Sequence, residues 1–316
     1  CIFTTRKIER RGMKLLIILI ISSEMKKVLL IGVGGYVGGR FKEYMKRYPD
    51  YEISEVSSMN REWDKISFKG FDAVYNVSGL AHANARQGTE EQYYAVNGQL
   101  PIDVDTKAKK EGVPIFIQMS SMIVYGNMSP LGKQKTITKE TIPTSPTIYG
   151  KSKMIAENGL HNLEDIKFQV AIIRPPLIYS ENARDNFPKL VFFAKTMPLF
   201  PDLKNQQSML YVDNLCELVH LIIDNNQGGT YYPQQEAYIE TSKIVGDIAK
   251  AVGNHMWQTK IFNPFLRLFS KNIVIIQKAF GSITYDMNIS NHFEGKYRVV
   301  SYEESIARIA NTHMKV

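Results

Sequence analysis

Val28-Leu29-Leu30-Ile31-Gly32-Val33-Gly34-Gly35-Tyr36-Val37-Gly38 decides the fold. Four apolar residues ending at glycine predict a strand inside a parallel sheet. Such strands are covered on both faces, so they show no alternation. The glycines at 32, 35 and 38 have separate jobs in a strand-to-helix turn. Gly32 permits the tight turn, Gly35 lets a pyrophosphate approach the backbone, and Gly38 lets the helix pack closely on the strand. A helix over 36–48, stopped by Pro49, aims its first N–H groups and its dipole at the phosphates. Tyr36 and Val37, in its first turn, are expected beside the same ligand. The stretch predicts a dinucleotide site.

The next strand is expected over 52–57. Proteins that use NAD usually end it in Asp or Glu, which holds the ribose 2′-OH. Here the tip is Ser57-Ser58-Met59-Asn60-Arg61, without a carboxylate. Ser57 and Arg61 suit a 2′-phosphate, which tilts the reading of NAD or NADP slightly toward NADP. Asp64, just downstream, would bond the adenine or cap a turn.

Strand-like runs recur at 73–77, 115–119 and 170–173, with helical patterns around 90–110 and 150–160. That alternation predicts an α/β fold: a Rossmann-type doubly wound parallel sheet with a smaller C-terminal substrate-binding domain. The expected division is an extension over 1–24 outside the fold, a dinucleotide-binding domain over 25–176 and a mainly substrate-binding domain over 177–316. Part of the last, about 209–235, returns to the first domain. Helical stretches at 214–223 and 303–310 stand out in the second half.

The 316 residues are 44% apolar and 22% charged, which excludes disorder and collagen-like structure. Two cysteines, Cys1 and Cys216, exclude a disulfide scaffold and fit a reducing, cytoplasmic setting. Cys216 is expected as a packing residue. The net charge of +8 is not gathered into a basic block interleaved with aromatics, so no nucleic-acid partner is expected; an anionic small substrate suits it. Residues 6–21 hold a basic stretch and then an apolar run, 15–21, too short for the ~20 residues of a bilayer span. No small-residue cleavage pattern follows. The reading preferred here is an upstream extension with Met25 opening the fold, and no membrane span; the rival is a membrane anchor.

The strand over 73–77 ends Asn76-Val77-Ser78-Gly79-Leu80-Ala81-His82, and the next ends Ser120-Ser121-Met122-Ile123-Val124-Tyr125-Gly126. Tyr149-Gly150-Lys151-Ser152-Lys153 places a tyrosine and a lysine four apart, on one helix face. The lysine ammonium would favour the phenolate, and a tyrosine so placed can exchange a proton with a substrate hydroxyl. Ser121 would donate a hydrogen bond to the same oxygen.

With Arg174-Pro175-Pro176-Leu177-Ile178-Tyr179 following in order, the chain resembles the extended short-chain dehydrogenase/reductase family, in its nucleotide-sugar epimerase/dehydratase group. The resemblance runs from about residue 25 to 310. It implies a catalytic triad of Ser121, Tyr149 and Lys153, with cofactor contacts also at Val77, Ser78, Gly79, Asn97, Lys153 and Pro176. It implies a nucleotide-sugar substrate, UDP-linked, held by His82, Ser121, Tyr149, Asn186 and Gln207, and no metal. Relatives often carry arginine at the position of Gln207; glutamine cannot supply that charge, so Lys189 or Lys204 would take over the phosphate. Asp213 and Asn214 are expected to cap the following helix. Met122 and Ile123 stand where the family's 4,6-dehydratases carry an Asp-Glu pair. Neither moves a proton, so that reaction is disfavoured.

Hydride transfer at sugar C4 is the reaction implied, by a 4-epimerase or by a 4-ketoreductase of surface-polysaccharide synthesis. The second-strand tip tilts slightly toward the reductase. A non-catalytic NAD(P)-binding sensor or scaffold is the alternative from another class. Relatives often pair through the helices that here carry Asn97 and Tyr149, so the resemblance leaves a homodimer open without settling the assembly.

Overall fold

The computed structural model describes residues 5–10, 13–18, 25–80, 89–184, 187–270 and 273–314. At its centre lie six parallel strands: β1 Lys26–Ile31, β2 Tyr51–Val56, β3 Ala73–Asn76, β4 Ile115–Met119, β5 Gln169–Ile173 and β6 Gly229–Tyr231. Their spatial order is β6-β5-β4-β3-β1-β2. Strand side chains alternate between faces, and here both faces are covered. Val28, Leu30, Tyr75, Ile117 and Ile173 pack with helix α1, Tyr36–Met45, and with helix Val212–Asn225. Leu29, Ile31, Val74, Phe116 and Ile172 pack on the other side with Trp63, Phe68 and helices Leu100–Lys110 and Ile148–His161. This is the doubly wound α/β sheet expected from the glycine-terminated strand and the alternation that follows it.

The strand over 73–77 is the third in chain order and lies directly against β1, with Ile31 opposite Asn76. Among the described residues β2 has no outer neighbour, and the chain after it forms a 3-10 segment, Met59–Lys65. The chain leaves β1 for β2 on one side and returns to β3 on the other. The crevice beyond the ends of β1 and β3 is the switch point at which ligands of such sheets bind.

Residues after β5 alternate between two jobs. Helix Val212–Asn225 and β6 complete the central sheet and its cover. A second core gathers Tyr179, Phe187, Phe200, Tyr211, Ile244 and Ile309. Short parallel pairs knit this part: Leu177–Tyr179 with Met209–Tyr211, Leu199–Pro201 with Trp257–Thr259, and Thr136–Ile137 with Thr284–Tyr285.

The N-terminal residues hold a feature that the pattern of charge and apolarity did not suggest. Thr5–Arg10 and Met13–Ile18 pair antiparallel, as a two-stranded sheet separate from the central one. No helix among the described residues is long and apolar enough to cross a membrane.

Candidate active site

The glycine loop is built for close approach. Gly32 has φ +120°, and a Cβ there would stand 3.1 Å from the Ser78 backbone nitrogen. Gly34, to which the sequence reading gave no role, has φ +73°, a conformation that favours glycine. A Cβ at Gly38 would meet Val77 Cγ2 at 3.1 Å and Leu30 Cδ2 at 3.2 Å, so helix and strands touch closely here. A Cβ at Gly35 would meet nothing within 4 Å, which leaves open space over the first turn of α1. An open cradle of backbone N–H groups at a helix N-terminus fits a pyrophosphate. Tyr36 lies in that first turn and its hydroxyl bonds Ser180; burial pushes the phenol up to about 12. Val37 beside it is half-buried.

The tip of β2 is a compact turn. Ser57 Oγ accepts from the Met59 N–H at 3.1 Å, and Asn60 and Arg61 both take positive φ. The Arg61 guanidinium donates to Asp64 at 3.2 Å and to Asp103 at 3.0 Å, and lies over the Trp63 ring. Two carboxylates thus balance the cation expected to face a 2′-phosphate.

The loop after β3 is fixed from the helix side. Tyr94–Gln99 is a π-helical turn, a form often found at functional sites. It aims the buried Asn97 at the loop, where its oxygen accepts from the Leu80 N–H at 2.8 Å and its nitrogen donates to the Leu80 carbonyl at 3.2 Å. Ser78 Oγ donates to Asn76 at 2.6 Å. A Cβ at Gly79 would stand 3.0 Å from Asn97 Oδ1 and 3.3 Å from Lys153 Nζ. The structure therefore brings Val77, Ser78, Gly79, Asn97 and Lys153 together.

Helix Ile148–His161 starts at Thr147, whose hydroxyl accepts from the Gly150 N–H at 3.0 Å. Its buried Lys153 donates to the Met119 carbonyl, at the end of β4, at 2.9 Å. Burial pushes this lysine down to about 8, while Glu157 one turn on pulls the other way. Ser121, two residues past Met119, opens a short 3-10 segment and its hydroxyl accepts from the Ile123 N–H at 3.2 Å. The half-buried Tyr149 meets Tyr93 edge-on, ring centres 6.3 Å apart. Pro176 lies buried past β5.

Next to Lys153 on the same helix stands a buried network that the sequence reading did not name. Glu157 receives Arg174 Nη2 at 2.6 Å and also the Ser120 hydroxyl, and Arg174 Nη1 donates to the Tyr125 hydroxyl at 2.6 Å. It ties β4, β5 and the lysine helix together. The i, i+4 spacing of Lys153 and Glu157 was the available signal.

Other expected residues lie elsewhere. His82 and Asn186 fall outside the described residues. Gln207 is buried, and its amide nitrogen donates to the carbonyls of Ala279 at 3.1 Å and Gly281 at 3.0 Å. That is a bracing position inside the second core, not one that offers its amide N–H groups to a diphosphate. Lys204 pairs with Glu240 at 3.0 Å, and Lys189 sits on helix Phe187–Thr196. Asp213 and Asn214 cap nothing: Tyr211 is the N-cap residue. Asp213 instead accepts Arg40 Nε at 2.7 Å and Arg308 Nη1 at 2.9 Å, and Asn214 holds Val300. Cys216 is buried, which pushes its thiol far up and suits a packing role. Among the described residues no group of three His, Cys, Asp or Glu side chains could hold a metal ion.

Known proteins resemble this chain in sequence and in fold. Residues 28–232 match the model of the NAD dependent epimerase/dehydratase family. A UDP-glucose 4-epimerase of Vibrio cholerae is 25% identical over 291 residues, covering 83% of this chain and 88% of its own. The N-acetyl-alpha-D-glucosaminyl-diphospho-ditrans,octacis-undecaprenol 4-epimerase of Escherichia coli O157:H7 is 31% identical over 250 residues, covering 71% and 72%. The fold is that of the solved UDP-glucuronic acid 4-epimerase of Bacillus cereus in complex with NAD, with a TM-score of 0.69 at 15% identity, over 90% of this chain and 96% of that one. Glycine cradle, strand order and sequence similarity converge, and the chain belongs to the NAD dependent epimerase/dehydratase family.

Proposed function

We propose that this protein is a 4-epimerase of a nucleotide-sugar, with UDP as the carrier and NAD as a retained cofactor. One observation carries the chemistry. Lys153 is a buried ammonium anchored to the end of β4, against Gly79 and Asn97, one helical turn from Tyr149. Gly32, Gly34, Gly35 and Gly38, with Tyr36 and Val37, would hold the pyrophosphate. Val77, Ser78, Gly79, Asn97, Lys153 and Pro176 would hold the remainder of the dinucleotide. A nicotinamide bound there supplies the two-electron exchange with the sugar carbon.

The residues of the chain manage the proton. Tyr149 takes it from the C4 hydroxyl and returns it. The Lys153 ammonium favours the phenolate that this requires, and Ser121 donates a hydrogen bond to the reacting oxygen. Low dielectric around Lys153 strengthens its field at the phenol, though the same burial brings its pKa down to about 8.

Epimerisation is preferred over net reduction for two reasons. Arg61 is held by Asp64 and Asp103, which weakens the case for a 2′-phosphate and for NADPH. Both curated relatives described above are named as 4-epimerases. The absence of a carboxylate at the β2 tip favours the second reading, a 4-ketoreductase using NADP. Cofactor extraction from purified protein followed by incubation with UDP-sugars separates them. The epimerase releases NAD on denaturation and converts a UDP-hexose to its C4 epimer with no net change in nicotinamide absorbance. Stoichiometric consumption of NADPH on a 4-keto sugar, with no epimer formed, overturns the proposal.

A further inference from the structure

Stability alone is a weak reason for the buried pair of Glu157 and Arg174. Their side chains are 3% and 9% exposed, and the cost of taking two charges out of water can exceed what their attraction returns. Well-packed apolar side chains of similar volume often serve stability as well. What the charged groups add is direction, because each donor and acceptor has a set partner. Both carboxylate oxygens of Glu157 are filled. Oε2 accepts Arg174 Nη2 at 2.6 Å; Oε1 accepts Arg174 Nε at 3.1 Å and the Ser120 hydroxyl. Arg174 Nη1 goes on to the Tyr125 hydroxyl at 2.6 Å.

These partners bracket Ser121. The Ser120 N–H donates to the Ile173 carbonyl at 2.8 Å and the Met122 N–H to the Pro175 carbonyl at 2.9 Å, so Ser121 runs alongside Arg174. Ser120 precedes Ser121, and Tyr125 ends the 3-10 segment that Ser121 opens. Arg174 is itself held by its backbone: its N–H donates to the Tyr231 carbonyl at 2.9 Å and its carbonyl accepts from the Tyr285 hydroxyl at 2.7 Å. Glu157 lies about one turn beyond Lys153 and two beyond Tyr149 on helix Ile148–His161. The pair therefore joins the helix of the tyrosine and lysine to both ends of the serine's segment.

We propose that Glu157 and Arg174 are positioning residues that hold the Ser121 hydroxyl in register with Tyr149, so that both reach one substrate oxygen, a role that rests on the hydride-transfer reaction proposed above. Neither residue needs to touch the substrate for this. An error of about 1 Å in such a placement can cost about a hundredfold in rate.

Tyr125→Phe and Ser120→Ala each remove one hydroxyl from the network and keep the charge pair. Glu157→Gln strands a buried guanidinium and is expected to lower the melting temperature, so the two milder variants carry the test, in the full chain. Hydrogen exchange reads the positioning without turnover. Peptides over 120–126 exchange faster in both variants, while peptides over β1 and the melting temperature stay as in the parent. Turnover of a UDP-sugar reads the consequence. Tyr125→Phe lowers kcat at least about tenfold with KM little changed, since the alignment counts in the transition state. In a Ser121→Ala background the same substitution costs less than about twofold, because no hydroxyl remains to be misplaced. A merely structural role gives equal losses in the two backgrounds. Equal losses, unchanged exchange over 120–126, or parental kcat in a folded Tyr125→Phe variant overturn the inference. A parent that turns over neither UDP-sugars nor 4-keto sugars overturns the proposed function instead, and the exchange measurement then still decides whether the network holds Ser121.

Discussion

Lys153→Met tests the electrostatics of the site through stability alone. Burial brings the lysine from its ordinary 10.5 to about 8 in the folded chain. Below pH 8 folded and unfolded chains both hold the proton, and the folded state bears the full cost of the buried charge. Between about pH 8 and 10.5 the folded chain gives up a proton that the unfolded chain keeps, so this group makes stability rise with pH through that window. A gap of about 2.5 units corresponds to about 3 kcal/mol. Methionine keeps most of the stem's volume and removes the titration. It leaves the Met119 carbonyl without its donor, a cost of about 1–3 kcal/mol that does not depend on pH. The variant, measured against the parent, should therefore lose about 3 kcal/mol of relative stability from about pH 8 to about 10.5. Urea unfolding of both proteins, side by side at each pH, reads this difference, and titrations common to both cancel. A difference that stays flat across the window refutes the reasoning, because Lys153 would then be solvated.

Four other outcomes are expected. Tyr149→Phe keeps the ring and its contact with Tyr93, so melting is unchanged while turnover of a UDP-sugar falls at least about a hundredfold; near-parental turnover removes the tyrosine from its role. Gly35→Val faces open space, so the fold persists while NAD affinity measured by calorimetry falls at least about tenfold; Gly38→Val, wedged against Val77 and Leu30, lowers the melting temperature first, and equal melting of the two variants contradicts this contrast. Asp105 is buried without a partner on either carboxyl oxygen and is pushed up to about 8, so it makes stability fall from about pH 4 to 8; Asp105→Leu should gain about 2–5 kcal/mol at pH 8 and little near pH 4, by urea titration. Gln207→Arg forces a larger cation into a buried bracing position and should cost about 1–3 kcal/mol without tightening UDP-sugar binding; a stable variant with higher affinity would restore Gln207 to the phosphate.

The parts legible in sequence were those written in local pattern. Short apolar runs mark strands sandwiched between helices, and β1, whose run stops at glycine, β4 and β5 appear where such runs stand. Gly38 was readable because the tight helix–strand contact it permits arises within the same turn. What failed was set by residues distant in sequence. Arg61 reads in sequence as a partner for a 2′-phosphate, but the fold brings Asp103, 42 positions on, against its guanidinium. Gln207 is held by Ala279, 72 positions away. The π turn at Asn97 lies inside an otherwise helical pattern over 90–110, where one added residue barely disturbs the period. Strand order carries no local signature either, so the place of β3 beside β1 emerged only from the ladder.

The carboxylate of Asp213 has a consequence for how the molecule comes into being. Arg40 reaches it across 173 positions and Arg308 across 95. On the ribosome the glycine loop emerges long before helix Val212–Asn225, so the helix behind the loop must wait for that helix to gain its anchor, and longer for Arg308. β6 closes the sheet beside β5 only after residue 231 has been made. Early segments of a growing chain can fold as units, but contacts of such span come late and slowly. A nascent chain arrested before residue 229 exposes the flank of β5, a ready partner for stray strands. Such a chain is the form most in need of chaperone cover.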